Sequence, residues 1–148
     1  MQPNIVIIMA DQLAPHFCGA YGHKAVKTPN IDSLAKNGMR FDSAYCNSPL
    51  CAPSRFSFMS GQLISRIAAY DNASEFKAST PTFAHYLTTL GYKTCLSGKM
   101  HFIGPDQKHG FQDRVTTDIY PSDFAWTPDW EAPDERIDKW YHNMQTVR

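Results

Sequence analysis

At 148 residues, with 43% apolar and 13% aromatic side chains, the chain suits one domain with a real core and argues against disorder. Its 14 basic and 14 acidic residues cancel, leaving no electrostatic footprint for nucleic acid or an anionic membrane surface, so neither is an expected partner. The longest N-terminal apolar run, Ile5 to Ala10, is ended by Asp11 and is preceded by no basic segment. It is too short for a membrane span or a secretory h-region, and a cytoplasmic location is expected.

The run Asn4 to Ala10 is continuous and β-branched, which predicts a strand buried on both faces of a parallel sheet. Asp11 and Gln12 follow where that strand leaves the sheet, the edge at which open α/β sheets bind ligands. Thr28-Pro29-Asn30-Ile31-Asp32 opens a helix, with Thr28 as cap, Pro29 at the first position and Asn37-Gly38 as the stop. Alternation from Met39 to Tyr45 predicts a strand. A helix between Pro53 and Gly61 follows. Thr80-Pro81 starts another, ended by Gly91, and Tyr92 to Ser97 reads as a short strand. Helix then strand, repeated after a first strand, implies βαβ crossovers and an α/β layered sheet over about residues 1–104. From about 105 to 148 prolines and tryptophans interrupt every period, which predicts an irregular segment on the substrate side.

Cys18, Cys46, Cys51 and Cys95 are read as free thiols, because no targeting segment argues for an oxidising compartment. Cys46 and Cys51 have no second Cys/His pair at zinc-finger spacing, so structural zinc is not expected. Cys51 precedes the helix at Pro53, at a mouth whose free N–H groups favour an anion. Arg55 lies on the same helical side with a guanidinium that matches a tetrahedral oxyanion. Spacing alone fits an ordinary buried cysteine with a solvated arginine equally well. Lys99 and His101 follow the Tyr92–Ser97 strand and leave its edge. There a lysine offers a point charge to a sulfuryl or phosphoryl oxygen, and a histidine a proton to a leaving oxygen.

Cys51-Ala52-Pro53-Ser54-Arg55 resembles the C-x-P-x-R signature of the sulfatases. Gly91 through His101, ending in Gly98-Lys99-Met100-His101, resembles their second signature. Tyr70-Asp71-Asn72-Ala73, Gly104-Pro105-Asp106-Gln107, Thr117-Asp118-Ile119-Tyr120-Pro121, Trp126-Thr127-Pro128-Asp129 and Trp140-Tyr141-His142-Asn143 look like the bacterial choline-sulfatase branch of that family. The resemblance covers essentially the whole chain. It implies an alkaline-phosphatase-like α/β/α layered sheet, of which this chain is expected to be the N-terminal portion.

The resemblance also implies a mechanism. A maturation enzyme, formylglycine-generating or anaerobic, oxidises Cys51 to formylglycine, and Pro53 and Arg55 belong to its recognition motif. One hydroxyl of the hydrated aldehyde attacks sulfur, the alcohol leaves, and the remaining ester expels sulfate as the aldehyde re-forms. A divalent metal, calcium, magnesium or manganese (Ca2+, Mg2+ or Mn2+), binds sulfate oxygen. Asp11, Gln12 and converted Cys51 match its ligands, although Gln12 departs from the paired-Asp pattern of the wider family. Arg55 orients the diol, and Lys99 and His101 match residues holding the sulfate and the leaving oxygen. Asn72 corresponds to a sulfate contact, and Trp126 with His142 to the substrate side.

The expected reaction of the longer parent is hydrolysis of a small sulfate ester, choline sulfate, to choline and sulfate. Choline is a quaternary ammonium ion that binds aromatic faces, and Tyr120 to Tyr141 is rich in them. The family completes its metal shell with residues far downstream, so these 148 residues are expected to hold half of it. A homo-oligomeric full-length protein is expected. Two alternatives fit the same motifs: an aryl sulfatase or phosphonate/phosphate monoester hydrolase of the same superfamily, or an inactive truncated remnant.

Overall fold

The apolar run at Ile5–Ala10 does not become a strand in the computed structural model, which describes residues 2–116. Val6 is 80% and Ile8 85% exposed. A strand of this composition needs partners at its edges and a covering layer on each face, and the described residues supply neither. The segment Met39–Tyr45 is likewise not a strand; Met39, Phe41 and Tyr45 are all exposed. The chain divides into two compact units, Met1–Tyr45 and Cys46–Arg148.

In the first unit two short 3-10 turns, Pro15–Phe17 and Gly19–Tyr21, precede helix α1, Pro29–Asn37. Pro29 is its first residue and Thr28 its N-cap, as the sequence predicts. The Thr28 hydroxyl does not cap the helix backbone, however. It donates to Asp32 Oδ1 at 2.8 Å and accepts the Gly19 N–H at 2.8 Å, while Asp32 Oδ1 also accepts the Ala20 N–H at 2.6 Å. The first turn of α1 is thereby tied to the preceding 3-10 turn. Arg40 donates to the Ala20 carbonyl at 2.7 Å and lies over the Tyr21 ring at 5.4 Å.

The second unit holds α2 (Cys51–Ser60), α3 (Ile64–Ile67), α4 (Phe83–Thr89), β1 (Cys95–Leu96) and β2 (Asp113–Arg114). Helix α2 starts two residues before Pro53, leaving that proline in the first turn, where its missing N–H costs nothing. Gly61 ends the helix in the left-handed region at φ 67°, its N–H returning to the Ser57 carbonyl at 2.8 Å. Helix α4 starts at Phe83 rather than Pro81, because Thr82 and His85 form a reciprocal capping box. Tyr92–Ser97 yields only the two-residue β1, paired in parallel with β2, Cys95 opposite Asp113. Strand β2 falls in the stretch predicted to be irregular, since Asp113-Arg114 carries no apolar run to announce it.

Ala52, Phe56 and Met59, three and four residues apart on α2, bury one helical face. They pack with Ile67, Ala69, Phe76, Ala84, Leu96, Met100 and Phe102 into a single core. Phe56 stacks on Phe76 with centroids 4.5 Å apart. That face sets the rotation of α2 and hence the direction in which its first turn points. All four cysteines are free thiols. Among the described residues, no helix is long and apolar enough to cross a membrane.

Candidate functional site

Cys51 is the first residue of α2 and is half-buried. The preceding Leu50 is extended and offers no side-chain cap, so the first-turn amides need partners from elsewhere. Asn72 supplies one: its Oδ1 accepts the Ala52 N–H at 3.0 Å from twenty residues downstream. Ser48 Oγ accepts the Leu50 N–H at 3.3 Å and orders the approach to the helix.

Arg55 follows one turn later and is only 5% exposed. Its Nη1 donates to the Lys99 carbonyl at 2.7 Å and lies 3.9 Å from Met100 Sδ. A buried guanidinium is tolerated only when hydrogen-bonded, and this one is satisfied by the backbone of the second motif. Lys99 then turns back, its Nζ donating to Cys51 Sγ at 3.6 Å. Two motifs more than forty residues apart thus converge on the mouth of α2. His101 stands two residues beyond Lys99, 3% exposed, with its backbone in the left-handed region at φ 57°. A non-glycine residue held there stores conformational strain, a feature concentrated at functional sites.

The structure therefore brings together Cys51, Arg55, Asn72 and Lys99 of the second unit. Asp11 and Gln12 belong to the first unit, both exposed, Gln12 with φ 56°. Trp126 and His142 lie outside the described residues. Sequence reasoning missed the bond from Asn72 to the helix mouth and that from Arg55 to the Lys99 carbonyl. No local pattern announces either, because each joins segments distant in sequence.

Burial pushes the His109 imidazole down to about 4; Asp106 pulls the other way, while His85 and Arg114 reinforce the fall. Burial alone would raise the Asp106 carboxyl, but N–H bonds from His109 and Lys108 outweigh it and hold the group below its usual range.

An arginine and a lysine are thus gathered with a cysteine at the mouth of α2. The chain belongs to the sulfatase family, whose family model, described as Sulfatase, matches residues 3–146. Its relatives include a choline-sulfatase of Rhizobium meliloti (strain 1021), 57% identical over 146 residues, 99% of this chain and 28% of that protein. An N-acetylglucosamine-6-O-sulfatase of Bacteroides thetaiotaomicron is 33% identical over 95% of this chain and 25% of that protein. Among solved structures, BT4656 in complex with its substrate D-glucosamine-2-N,6-O-disulfate superposes with a TM-score of 0.73. It is 35% identical, covering 77% of this chain and 23% of that one. The architecture is therefore the alkaline-phosphatase-like fold of sulfatases, and the chain spans about a quarter of the length of these relatives.

Proposed function

We propose that this chain carries the nucleophile and sulfate-binding half of a sulfuric ester hydrolase acting on choline sulfate. The observation that bears most on this is the convergence of Cys51, Arg55 and Lys99, with Lys99 Nζ 3.6 Å from Cys51 Sγ. The choice of choline sulfate rests on the 57% identity to a choline-sulfatase.

The donor set suits the groups the family employs. Among the described residues no three His, Cys, Asp or Glu side chains stand close enough together to hold a metal. The Asp11 carboxylate and the Gln12 amide nevertheless offer the hard oxygens that calcium, magnesium or manganese prefers. The family resemblance assigns these two residues to that ion. When present, formylglycine at position 51 supplies a hydrated aldehyde as nucleophile, and the metal supplies Lewis acidity.

The chain's own residues do the rest. Lys99 presents its ammonium beside position 51 and neutralises a non-bridging sulfate oxygen. Arg55, buried and bound to the Lys99 carbonyl, fixes where that ammonium starts. Asn72 holds the first turn of α2, so the side chain at position 51 projects from a defined mouth. His101 is the proton donor to the leaving alcohol oxygen, two residues from the ammonium that holds the other end of the ester. The resemblance assigns Trp126 and His142 to the quaternary ammonium side of the substrate.

The test uses the whole protein co-expressed with a formylglycine-forming maturation enzyme. Turnover of choline sulfate should exceed that of an aryl sulfate and of phenyl phosphonate. The peptide spanning position 51 should show the mass of the aldehyde in place of the thiol. A preference for phenyl phosphonate would overturn the substrate assignment, and full turnover by protein carrying only the thiol would overturn the mechanism.

A further inference from the structure

His109 has no place in the site above, yet it is fully buried, and among the described residues neither ring nitrogen has a hydrogen-bond partner. A histidine that only filled space would carry the desolvation of two polar atoms for nothing, where phenylalanine fits at no such cost. Its neighbours explain the position. The ring lies 4.4 Å from Phe76 and 4.4 Å from Phe102, tilted 32° to the first and 61° to the second. Phe102 directly follows His101. Phe76 lies four residues after Asn72, stacks on Phe56 of α2, and its N–H donates to the Ile103 carbonyl at 3.2 Å. One imidazole thus sits between the segment carrying Lys99 and His101 and the segment carrying Asn72.

The backbone around His109 is held as firmly. Its N–H donates to Asp106 Oδ1 at 3.0 Å, and its carbonyl accepts the buried Thr82 hydroxyl at 2.6 Å. Gly110 follows with φ 95°, and the His85 ring packs so closely there that a Cβ would meet its Nδ1 at 2.6 Å. On the far side Gln107 Nε2 donates to the Phe102 carbonyl at 3.0 Å, and Arg114 lies over the Phe102 ring at 5.6 Å.

We propose that the uncharged ring of His109 is the positioning residue of the Lys99–His101 segment, wedging Phe102 and Phe76 against α2, and that its protonation releases this segment. The inference extends the site reading above, since the segment it controls carries two of the proposed catalytic groups. A charge on the ring would face Asp106 on its own loop, 3.6 Å from Nδ1 and too far for a hydrogen bond, with His85 of α4 and Arg114 of β2 opposing it. Phe76 and Phe102 bring no charge to the slot. The single acid does not offset burial, and the ring stays neutral until about pH 4.

Amide hydrogen exchange by mass spectrometry on the full chain tests this without requiring turnover, so loss of the sulfatase reading would leave the result interpretable. An opening that frees His109 restores its ordinary affinity for protons. After correction for intrinsic rates, amides of Gly98–Ile103 should therefore lose protection roughly 30-fold between about pH 6.5 and about pH 4.5. They should also exchange faster than those of Phe56–Ser60 at every pH, as expected of an opening smaller than unfolding. His109→Phe, which keeps the wedge but cannot titrate, should abolish the pH response; if it does not fold, His109→Gln should do the same. A response that persists in these variants, or a common rate for both segments, would overturn the proposal.

Discussion

Arg55→Met is the most informative single change outside the nucleophile. The guanidinium is 5% exposed and donates at 2.7 Å to the Lys99 carbonyl, so methionine keeps the stem and deletes that charge-assisted bond. Bonds to charged groups are worth about 1.5–3 kcal/mol, and the half-buried Lys99 carbonyl left behind can turn partly to water. Relief of the buried cation's desolvation acts in the opposite direction. The net expectation is a destabilisation of about 1–3 kcal/mol, read as a lower urea midpoint at unchanged slope. Arg55→Lys should recover little of it, because an ammonium on a shorter reach lacks the planar fork. The same loss should free Lys99 from its position beside Cys51 and lower turnover by the whole protein. An Arg55→Met midpoint indistinguishable from the parent, with turnover retained, would refute the claim that this arginine ties the two motifs together.

Other consequences are open to simple measurement. Asn72→Ala removes the acceptor for the Ala52 N–H and should cost about 1 kcal/mol in urea unfolding, with Asn72→Asp retaining most of it. Gly61→Val forces a β-branched residue to φ 67° and should cost about 1–2 kcal/mol by the same assay. His109 has a folded-state value near 4, below its ordinary 6.5, so the folded chain binds fewer protons than the unfolded one. Its stabilisation is therefore full above about pH 6.5 and is lost as pH falls towards 4, on the order of 3 kcal/mol in all, visible in urea midpoints across that window. Asp106 is held below its ordinary 3.8, so it adds a further loss only below that pH.

The features legible in the sequence were those carried by local chemistry. Pro29 at the first position of α1, Gly61 at the end of α2 and the placement of Cys51 at a helix mouth needed only capping rules and turn residues. Lys99 beside Cys51 was legible because two signatures of one family occurred together. Ile5–Ala10 read as a strand because its residues are strand formers, but strands exist only by pairing, and the described residues complete no sheet around it. Strand β2 went unread for the opposite reason: Asp113 and Arg114 are poor strand formers held in place by pairing with β1. His85 closed a capping box that is usually written with Glu or Gln, and His109 acquired its role from rings brought in from positions 76 and 102. The first is local but uses an unusual residue, and the second was not visible without the tertiary fold.

The central claim is that the side chain at position 51 attacks the sulfate ester, and turnover of choline sulfate by the matured whole protein with Cys51→Ala tests it most directly. The account predicts a fall of at least about a thousandfold, since Lys99, Arg55 and His101 would remain around a position with no nucleophile. Undiminished turnover in the alanine variant, with its fold intact, would contradict it.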